Sequence, residues 1–261
     1  MSKRFEKKTL FVTGAASGLG HAIGRRFADE GANVAAVDIN EAQLNELWKP
    51  SDRVLPITTD VTDSSAVQNA VAQATKKFGR IDSLANVAGI AMEQPFLEIS
   101  EADWRKIIEV NLNGVFFVAQ AVAKQMASQS PSGGTIINMA SKNGITAEVK
   151  YAHYNATKAG VILLTKTMAG DLAEYNIRVN AVCPGYCLTP LAEAIDPKEF
   201  QERYCDQRIP IGRLGKPEEV AGTFAFLASD DAGFITGTTI LTDGGQLALD
   251  GRKMHAWDDI G

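Results

Sequence analysis

The sequence predicts an α/β fold in which a doubly wound, mostly parallel sheet of seven strands is covered by helices on both faces. Short β-rich runs alternate with longer helix-like stretches from the start of the chain almost to its end, and this order is typical of a parallel sheet. The 261 residues, 45% of them hydrophobic, suffice for one domain of this kind. We therefore expect residues 1–261 to form a single domain.

The individual elements follow from apolar runs and from the residues that bound them. The predicted strands are, in chain order, residues 9–13, 33–38, 54–57, 83–86, 134–139, 178–183 and 238–241. The predicted helices are 19–29, 41–47, 64–78, 101–127, 153–175 and 217–228, several of them opened by a capping residue or by proline. The loops that follow the strands should meet at one edge of the sheet, where open α/β sheets bind ligands.

The overall composition argues against several classes of function. A net charge of −5 and a pI near 5.3 provide no basic surface for a nucleic acid. The polar start of the chain differs from a signal peptide, and no apolar run approaches the ~20 residues that span a bilayer. The three cysteines lack the paired spacing of a zinc site. We expect a cytoplasmic protein with reduced cysteines, no metal site and a small-molecule partner.

Residues 13–20, with the sequence Thr-Gly-Ala-Ala-Ser-Gly-Leu-Gly, connect the first predicted strand to the first predicted helix. Glycines allow a tight turn and a close approach to a pyrophosphate, and the amides at a helix N-terminus attract its negative charge. The spacing is GxxxGxG and differs from the general GxGxxG fingerprint, so a plain strand-to-helix turn also fits. The expected cofactor contacts in this segment are Gly14, Ser17, Gly18, Leu19 and Gly20.

Asp38 ends the second predicted strand, eighteen residues after Gly20. This is close to the ~20-residue offset at which a carboxylate accepts hydrogen bonds from the adenosine ribose in dinucleotide-binding folds. The same carboxylate would repel a 2′-phosphate. The glycine turn and Asp38 together predict a Rossmann fold that binds NAD in preference to NADP.

Tyr154 and Lys158 stand four residues apart in a strongly helical stretch, which places both side chains on one helix face. The pKa of a free tyrosine is near ~10, and a neighbouring ammonium group favours the phenolate. Tyr154 is therefore a candidate acid/base, and Lys158 the group that tunes it. Ser141 follows a predicted strand, where its hydroxyl is placed to hydrogen-bond a substrate oxygen. Taken singly, each of these residues also fits a solvated helix face or a cap.

In combination, these motifs resemble the short-chain dehydrogenase/reductase family over nearly the whole chain. Residues 13–20 resemble that family's cofactor turn, Asp60-Val61 its adenine-contacting pair, and residues 86–89, Asn-Val-Ala-Gly, its motif after the fourth strand. The commoner form of the last motif is Asn-Asn-Ala-Gly. Val87 therefore departs from the pattern, and we expect a small effect on stability.

The resemblance implies a catalytic site and a mechanism. Tyr154 removes the proton from an alcohol while a hydride passes to NAD, Lys158 lowers the tyrosine pKa and holds the nicotinamide ribose, and Ser141 steadies the oxygen. Asn111 holds a water that links the lysine to solvent. Further cofactor contacts implied by the resemblance are Asp60, Val61, Asn86, Ala88, Gly89, Pro184, Gly185 and Thr189.

The substrate is predicted from the polar stretch between Ser141 and Tyr154, which forms part of the pocket wall in the family. Its polar residues suit several hydroxyl groups better than an acyl chain, although a surface loop explains them as well. The His-Tyr pair at 153–154 also resembles sugar dehydrogenases of the family. We expect a sugar, a polyol or a similar polar secondary alcohol. The expected substrate contacts are Ser141, Asn143, Glu148, His153, Tyr186 and Leu191, in a pocket wall that also contains Lys142.

Alternative functions remain open at this point. A 3-oxoacyl thioester reductase is one, although family members of that kind generally prefer NADP; a steroid or small-ketone reductase is another. A cofactor-binding scaffold or regulator without turnover is a third, from a different class of function. The four family residues Ser141, Tyr154, Lys158 and Asn111 argue against it.

Two segments stand outside the regular alternation. Residues 186–216 are polar, contain three prolines and are expected to form a lid over the substrate. Residues 246–261 form a C-terminal tail that contains Trp257, and we expect it to pack on a neighbouring subunit. The resemblance implies a homotetramer built partly by the predicted helices 101–127 and 153–175.

Overall fold

The computed structural model describes residues 3–190, 192 and 196–248, and these contain a seven-stranded, all-parallel sheet in the order β3-β2-β1-β4-β5-β6-β7. This confirms the predicted Rossmann-type α/β fold. The strands are β1 (Thr9–Thr13), β2 (Asn33–Asp38), β3 (Val54–Thr58), β4 (Ser83–Asn86), β5 (Gly134–Met139), β6 (Ile177–Pro184) and β7 (Thr239–Thr242).

The helices lie on both faces of the sheet. They are α1 (Gly18–Asp29), α2 (Glu41–Leu47), α3 (Ser64–Phe78), α4 (Glu101–Ile108), α5 (Val115–Ser128), α6 (Ala152–Asp171), α7 (Lys198–Arg208) and α8 (Pro217–Ala228). Helix α7 lies in the segment that we expected to be a lid and was not predicted. The other bounds differ from the expected ones by a few residues, because helix and strand ends have weak sequence signals.

Two apolar layers hold the helices against the sheet. One layer joins the strands to α1 and α8 through Val12, Ile23 and Phe224, and the other joins them to α3 and α5 through Phe11, Val71 and Val122. Strands β1 and β4 are buried along their whole length. Burial on both faces explains why these strands appear in the sequence as runs without polar alternation.

The predicted helix 101–127 is not a regular α-helix throughout. Residues Glu109–Gly114 form a π-helical segment between α4 and α5, and such segments occur frequently at functional sites. A π turn contains one extra residue, so it changes the direction in which the side chains of the following turn point. Asn111 lies within this segment and is fully buried.

The continuous run Glu101–Ser128, α4 to α5, is long and apolar enough to cross a membrane by length and composition. Its second half packs on the sheet through Val118, Val122 and Met126, which are buried in the core. We therefore assign it as a core helix of the α/β fold.

The order of the strands decides where the functional site forms. Strand β1 pairs with β2 on one side and with β4 on the other, so the chain reverses its direction of winding between β1 and β4. Open α/β sheets bind ligands in the crevice outside the carboxyl ends of strands at such a switch point. The glycine turn after β1 and residues 86–89 at the end of β4 meet there.

Candidate active site

The glycine turn after β1 is shaped by contacts that only glycine permits. A Cβ atom on Gly20 would lie 2.0 Å from the carbonyl oxygen of Gly14, and Gly14 and Gly18 both have positive φ angles. Ser17 occupies the N-cap of α1 in extended backbone and makes no side-chain cap hydrogen bond. The first amides of α1 are therefore presented at the crevice, where they form a cradle for a phosphate group.

The turn is supported from behind by two residues of the β2–α2 region. The indole N–H of the buried Trp48 donates to the carbonyl oxygen of Ala15 at 2.9 Å. The carboxylate of Asp38 accepts from the backbone N–H of Ala16 and from that of Asn40, both at 2.9 Å. Since a carboxylate has about four acceptor positions, Asp38 keeps acceptor capacity toward the crevice. The sequence did not reveal this second, structural role of Asp38.

The floor of the crevice is the end of β4. The hydroxyl of Thr13 accepts from the backbone N–H of Val87 at 2.9 Å and from that of Ala88 at 3.1 Å. The side-chain amide of Asn86 donates to the carbonyl oxygen of Val115 at 2.8 Å. The side chains of Thr13 and Asn86 thus hold this turn by bonds to backbone groups, and these hydrogen bonds do not require a polar side chain at position 87.

Asn111 in the π segment is bound to the loop that follows β4. Its side-chain oxygen accepts from the Ile90 N–H at 2.8 Å, and its side-chain nitrogen donates to the Ile90 carbonyl oxygen at 2.7 Å. A Cβ atom on Gly89 would lie 3.1 Å from the Asn111 oxygen and 3.6 Å from the amino nitrogen of Lys158. Asn111, Gly89 and Lys158 are therefore brought together at this point of the crevice.

Tyr154 and Lys158 lie on one face of α6, directed at the end of β5. The Lys158 amino group is buried, donates to the carbonyl oxygen of Met139 at 3.0 Å, and lies 5.5 Å from the centre of the Tyr154 ring. Ser141 caps the short 3₁₀ turn after β5, where its hydroxyl accepts from the Asn143 N–H at 3.2 Å.

Burial is the main influence on the ionisation of Tyr154 and Lys158. Desolvation raises the pKa of Tyr154 to about 12, an effect that hydrogen bonding to the Ser141 hydroxyl opposes. Desolvation also lowers the pKa of Lys158 to about 8. Both shifts favour the neutral form of the group. The lowering of the tyrosine pKa that we expected from Lys158 therefore does not outweigh the effect of burial.

The polar residues between Ser141 and Tyr154 form a connected cluster. The buried amino group of Lys142 contacts Glu148 at 2.5 Å and the Asn143 side-chain oxygen at 2.7 Å. The second carboxylate oxygen of Glu148 accepts from the hydroxyl of Tyr204 on α7 at 3.3 Å. Asn143 and Glu148, both expected substrate contacts, are thus beside Ser141, with one Glu148 oxygen only weakly engaged.

Tyr186 lies next to the same cluster. Its ring contacts that of Tyr204 edge-on, with centroids 5.2 Å apart, and its hydroxyl is hydrogen-bonded to Asp196. Gln246 joins the two tyrosines, because its amide donates to the Tyr204 hydroxyl at 2.6 Å and accepts from the Tyr186 N–H at 3.3 Å. Leu191, another expected substrate contact, and Trp257 of the tail lie outside the described residues.

His153 is placed differently from the other expected substrate contacts. Its side chain is fully buried, and both ring nitrogens are paired with protein groups. This leaves no polar atom of the ring available to a substrate hydroxyl. The sequence placed His153 in the pocket because it precedes Tyr154, but the start of a helix directs adjacent side chains to different sides.

The remaining expected cofactor residues surround the crevice. Thr189 approaches the glycine turn, since a Cβ atom on Gly18 would lie 3.7 Å from the Thr189 side chain. Pro184 ends β6, and Gly185 donates its N–H to Thr242 at 3.0 Å. Asp60 is exposed and accepts from the Thr62 N–H at 2.9 Å.

Comparison with known proteins agrees with this arrangement. Residues 14–246 match the family described as enoyl-(acyl carrier protein) reductase. The chain is 45% identical to the 3-oxoacyl-[acyl-carrier-protein] reductase of Thermotoga maritima, over 93% of this chain and 98% of that protein. The chain belongs to the short-chain dehydrogenase/reductase family.

Other relatives of this family act on different alcohols by name. The chain is 38% identical to the meso-2,3-butanediol dehydrogenase of Serratia marcescens, over 95% of this chain and 98% of that protein. It is 39% identical to the NAD-dependent glycerol dehydrogenase of Listeria innocua, over 91% and 93%. A crystal structure of a short-chain type dehydrogenase/reductase from Mycobacterium marinum superimposes with a TM-score of 0.87 at 35% identity, over 95% of this chain and 98% of that one.

Membership of the short-chain dehydrogenase/reductase family establishes the class of reaction. The chain is an NAD(P)-dependent oxidoreductase that interconverts alcohol and carbonyl groups of small molecules. The residues fit such a cofactor, because the glycines let the turn after β1 pack closely on itself, and the uncapped first amides of α1 are available to a phosphate there. Among the residues that the structure describes, no group of three or more His, Cys, Asp or Glu side chains is arranged to hold a metal ion.

Sequence reasoning missed Tyr204 and Gln246 as members of the site. Tyr204 lies on a helix that was not predicted, and Gln246 lies just after β7, far from the other site residues along the chain. The polar composition of 186–216 was the available signal, but composition does not tell which side chain points inward.

The burial of Lys158 leads to a prediction about the stability of the fold. Between pH 8 and 10 the unfolded chain keeps a proton on Lys158 that the folded protein has lost, so folding becomes more favourable as the pH rises through this window. The free energy of unfolding of the wild type, minus that of Lys158→Met, should rise by about 1–3 kcal/mol from pH 8 to 10. Urea denaturation followed by tryptophan fluorescence measures this difference.

Lys166→Met is the matched control, because Lys166 is exposed on the same helix. The free energy of unfolding of the wild type, minus that of Lys166→Met, should not change over the same pH range. A flat difference for Lys158→Met as well would mean that the folded protein holds Lys158 as a cation above pH 8.

Proposed function

We propose that this chain is an NAD-preferring dehydrogenase that interconverts a polar secondary alcohol, such as a sugar or polyol, with its carbonyl form. The observation that carries the proposal is the meeting of Tyr154, Lys158 and Ser141 at the crevice beside the glycine turn. A bound nicotinamide supplies or accepts the hydride. The protein groups supply orientation, charge and the proton.

In this proposal each residue of the site has a defined task. Tyr154 exchanges the proton of the substrate hydroxyl, and Ser141 holds the same oxygen by a hydrogen bond. The Lys158 ammonium group stabilises the phenolate and binds the nicotinamide ribose, and Asn111 supports the path by which protons leave. The proposed cofactor-binding residues are Gly14, Ser17, Gly18, Leu19, Gly20, Asp38, Asp60, Val61, Asn86, Ala88, Gly89, Tyr154, Lys158, Pro184, Gly185 and Thr189.

The preference for NAD is proposed from the charge at the end of β2. Asp38 is partly exposed beside the glycine turn, and the residues that follow it are the exposed Ile39 and Asn40. A 2′-phosphate placed there would meet a carboxylate and no cation from these three residues, whereas a 2′-hydroxyl donates a hydrogen bond to Asp38. One relative is named an NAD-dependent enzyme, which is consistent with the proposal.

The substrate class is proposed from the groups near Ser141. Glu148, Tyr204 and Asn143 offer hydrogen-bond acceptors and donors, and Lys142 forms an ion pair with the Glu148 carboxylate. A substrate with several hydroxyl groups adds hydrogen bonds to this cluster, while an acyl chain would cover the weakly engaged Glu148 oxygen without a hydrogen bond, at a cost of about 1–3 kcal/mol. Relatives named for butanediol and glycerol are compatible with this class.

A second candidate is reduction of a 3-oxoacyl thioester. It is favoured by the 45% identity to a 3-oxoacyl-[acyl-carrier-protein] reductase. The Lys142–Glu148 cluster argues against it, because a thioester chain would pass beside a charged pair. A panel of substrates that contains both classes separates the two candidates.

We also propose a cytoplasmic homotetramer of single-domain subunits. Exposed apolar side chains on the helices that pair across subunits in this proposal support it, among them Trp104 on α4, Phe116 on α5 and Leu163 on α6. Segment 186–216 is the proposed lid over the substrate. The tail 246–261 is proposed to reach a neighbouring subunit; its residues 249–261 lie outside the described part of the chain.

The first experiment is initial-rate spectrophotometry of nicotinamide reduction with sugars, polyols, hydroxy acids, hydroxyacyl thioesters, hydroxysteroids and simple secondary alcohols. We expect turnover with NAD and a polyhydroxy compound.

Tyr154→Phe removes the proton-exchanging hydroxyl, and it should lower kcat at least ~10²-fold while NADH still binds, as measured by fluorescence titration. Tyr175→Phe, at an exposed tyrosine, is the control. Retention of most activity in Tyr154→Phe would contradict the proposed role.

Asp38→Asn tests the cofactor preference, because it keeps the shape of the side chain and removes its charge. The ratio of kcat/KM for NAD to that for NADP should fall about 10- to 100-fold, as for the loss of a hydrogen bond to a charged group. Glu41→Gln changes a nearby exposed carboxylate and should leave the ratio unchanged. An unchanged ratio in Asp38→Asn would show that Asp38 does not determine the preference for NAD over NADP.

Glu148→Gln tests the substrate class. It keeps the size of the side chain but leaves the Lys142 ammonium group without its anion, so KM for a polyhydroxy substrate should rise about tenfold. KM for a simple secondary alcohol should change less than about threefold. The control is Glu101→Gln, which breaks an exposed ion pair with Arg105. Equal changes in KM for both substrates would show that Glu148 does not bind the extra hydroxyl groups.

A further inference from the structure

His153 occupies an unusual position for a histidine at the start of a helix. Its side chain is 0% exposed although it lies in the first turn of α6. The ring nitrogen Nδ1 accepts from the backbone N–H of Tyr154 at 2.9 Å, and Nε2 lies 3.2 Å from the side-chain oxygen of Gln94. The ring therefore links Tyr154 to the loop that follows β4.

These contacts fix the protonation state of the ring. Because Nδ1 accepts a hydrogen bond, it cannot carry a proton, so the proton of the neutral ring must be on Nε2. Nε2–H then donates to the Gln94 oxygen. The Gln94 amide nitrogen in turn donates to the Asp103 carboxylate at 3.0 Å, which orients the amide so that its oxygen faces the histidine.

The location explains why a neutral ring is needed there. The N–H groups of the first helical turn have no partner within the helix, and that of Tyr154 is one of them. A cation at a helix N-terminus is unfavourable. Burial lowers the pKa of His153, and the Asp103 charge on α4 opposes this only in part. Charged or titratable groups beside the ring's partners are Lys106, which acts on Asp103 from α4, Glu93 and Lys150, which are paired next to Gln94, and Tyr151, whose ring contacts that of Tyr154.

The loop carrying Gln94 is fastened to the same region by further bonds. The Gln94 N–H donates to the carbonyl oxygen of Lys150 at 2.8 Å, and the Lys150 side chain contacts Glu93 at 2.7 Å. Residues 93–94 and 150–154 are thus joined by three contacts, those of His153 with Gln94, Gln94 with Lys150, and Lys150 with Glu93. The same loop begins at Ile90, which Asn111 holds.

We infer that His153 is a positioning residue for Tyr154: its neutral Nε2–H imidazole holds the backbone of Tyr154 at the start of α6 and couples it to the loop after β4. The inference rests on the proposed function of Tyr154. It replaces the substrate contact that the sequence predicted for His153, because a ring with both nitrogens engaged by the protein acts on the reaction only through Tyr154.

The decisive comparison is between His153→Leu and His153→Asn. Leucine and asparagine have nearly the same shape, but only asparagine keeps an acceptor for the Tyr154 N–H. We expect His153→Leu to lower kcat about 10- to 100-fold, as for a small displacement of a reacting group, with KM for substrate within about threefold. His153→Asn should recover at least about tenfold of that loss.

A purely packing role gives the opposite order, since the apolar leucine suits a buried site better than asparagine does. Equal kcat in the two variants, or a higher value for leucine, would overturn the inference. So would a rise in KM confined to polyhydroxy substrates, because that result identifies a substrate contact. Circular dichroism and thermal unfolding establish that both variants are folded.

The pH profile supplies a second readout. In carbonyl reduction the phenol must be protonated, so Tyr154 itself does not cause a loss of rate at acid pH, whereas protonation of His153 breaks its hydrogen bond to the Tyr154 N–H. Asp103→Asn keeps an oxygen that accepts from the Gln94 amide but removes the carboxylate charge that favours the imidazolium form. The part of the acid limb of kcat that His153 causes should therefore move to lower pH. An unmoved limb would contradict the inference.

A failure of the proposed function can be told apart from a failure of this inference. If the wild type turns over no compound of the panel, the proposed function fails, and the ring of His153 is examined by ¹H–¹⁵N NMR. The chain has three histidines, and His153→Asn assigns the signal. A neutral ring with its proton on Nε2 at pH 7 supports the inference, whereas a cationic ring or a proton on Nδ1 overturns it.

Discussion

The site depends on the close approach of the first turn of α1 to the end of β1. Gly20 lies so near the Gly14 carbonyl group that a Cβ atom would be 2.0 Å from its oxygen, a separation that no side chain tolerates. This contact directs the first amides of α1 into the crevice. Trp48 and Asp38 then hold the turn from behind by bonds to Ala15 and Ala16. The dinucleotide site is therefore a backbone feature, and the side chains around it act as supports.

The catalytic side of the crevice is governed by a different constraint, the burial of polar groups. Lys158 is almost completely enclosed, and its described hydrogen bond is to a backbone carbonyl. Burial shifts the pKa of Lys158 downward and that of Tyr154 upward, toward neutral forms of both. At neutral pH Tyr154 is therefore a neutral phenol, and Lys158 is a cation that gives up its proton more easily than a free lysine does. Asn111 contributes by fixing the Ile90 backbone, so that the wall next to the lysine does not shift.

The proposed substrate side is assembled from segments that are distant along the chain. Lys142 and Glu148 come from the loop after β5, Tyr204 from α7, and Gln246 from the end of β7. The shared fold positions these segments without specifying their side chains. This is why relatives of similar identity are named for an acyl thioester, a diol and a triol. In the proposed function, the polar cluster, and not the sheet, carries the information about substrate class.

The sequence by itself determined the order of the strands and helices, the glycine turn, and the Tyr154–Lys158 pair on one helix face. Each of these depends on residues close together in the chain, whose spacing matches a helical or extended period. The tertiary structure decided what the sequence could not. It removed His153 from the substrate pocket by pairing it with Gln94, placed Tyr204 and Gln246 in the site, and gave Asp38 a second task in the glycine turn. These contacts join residues 22 to 59 positions apart. They arise only when the parallel sheet brings the ends of its strands to one edge, so no local pattern predicts them.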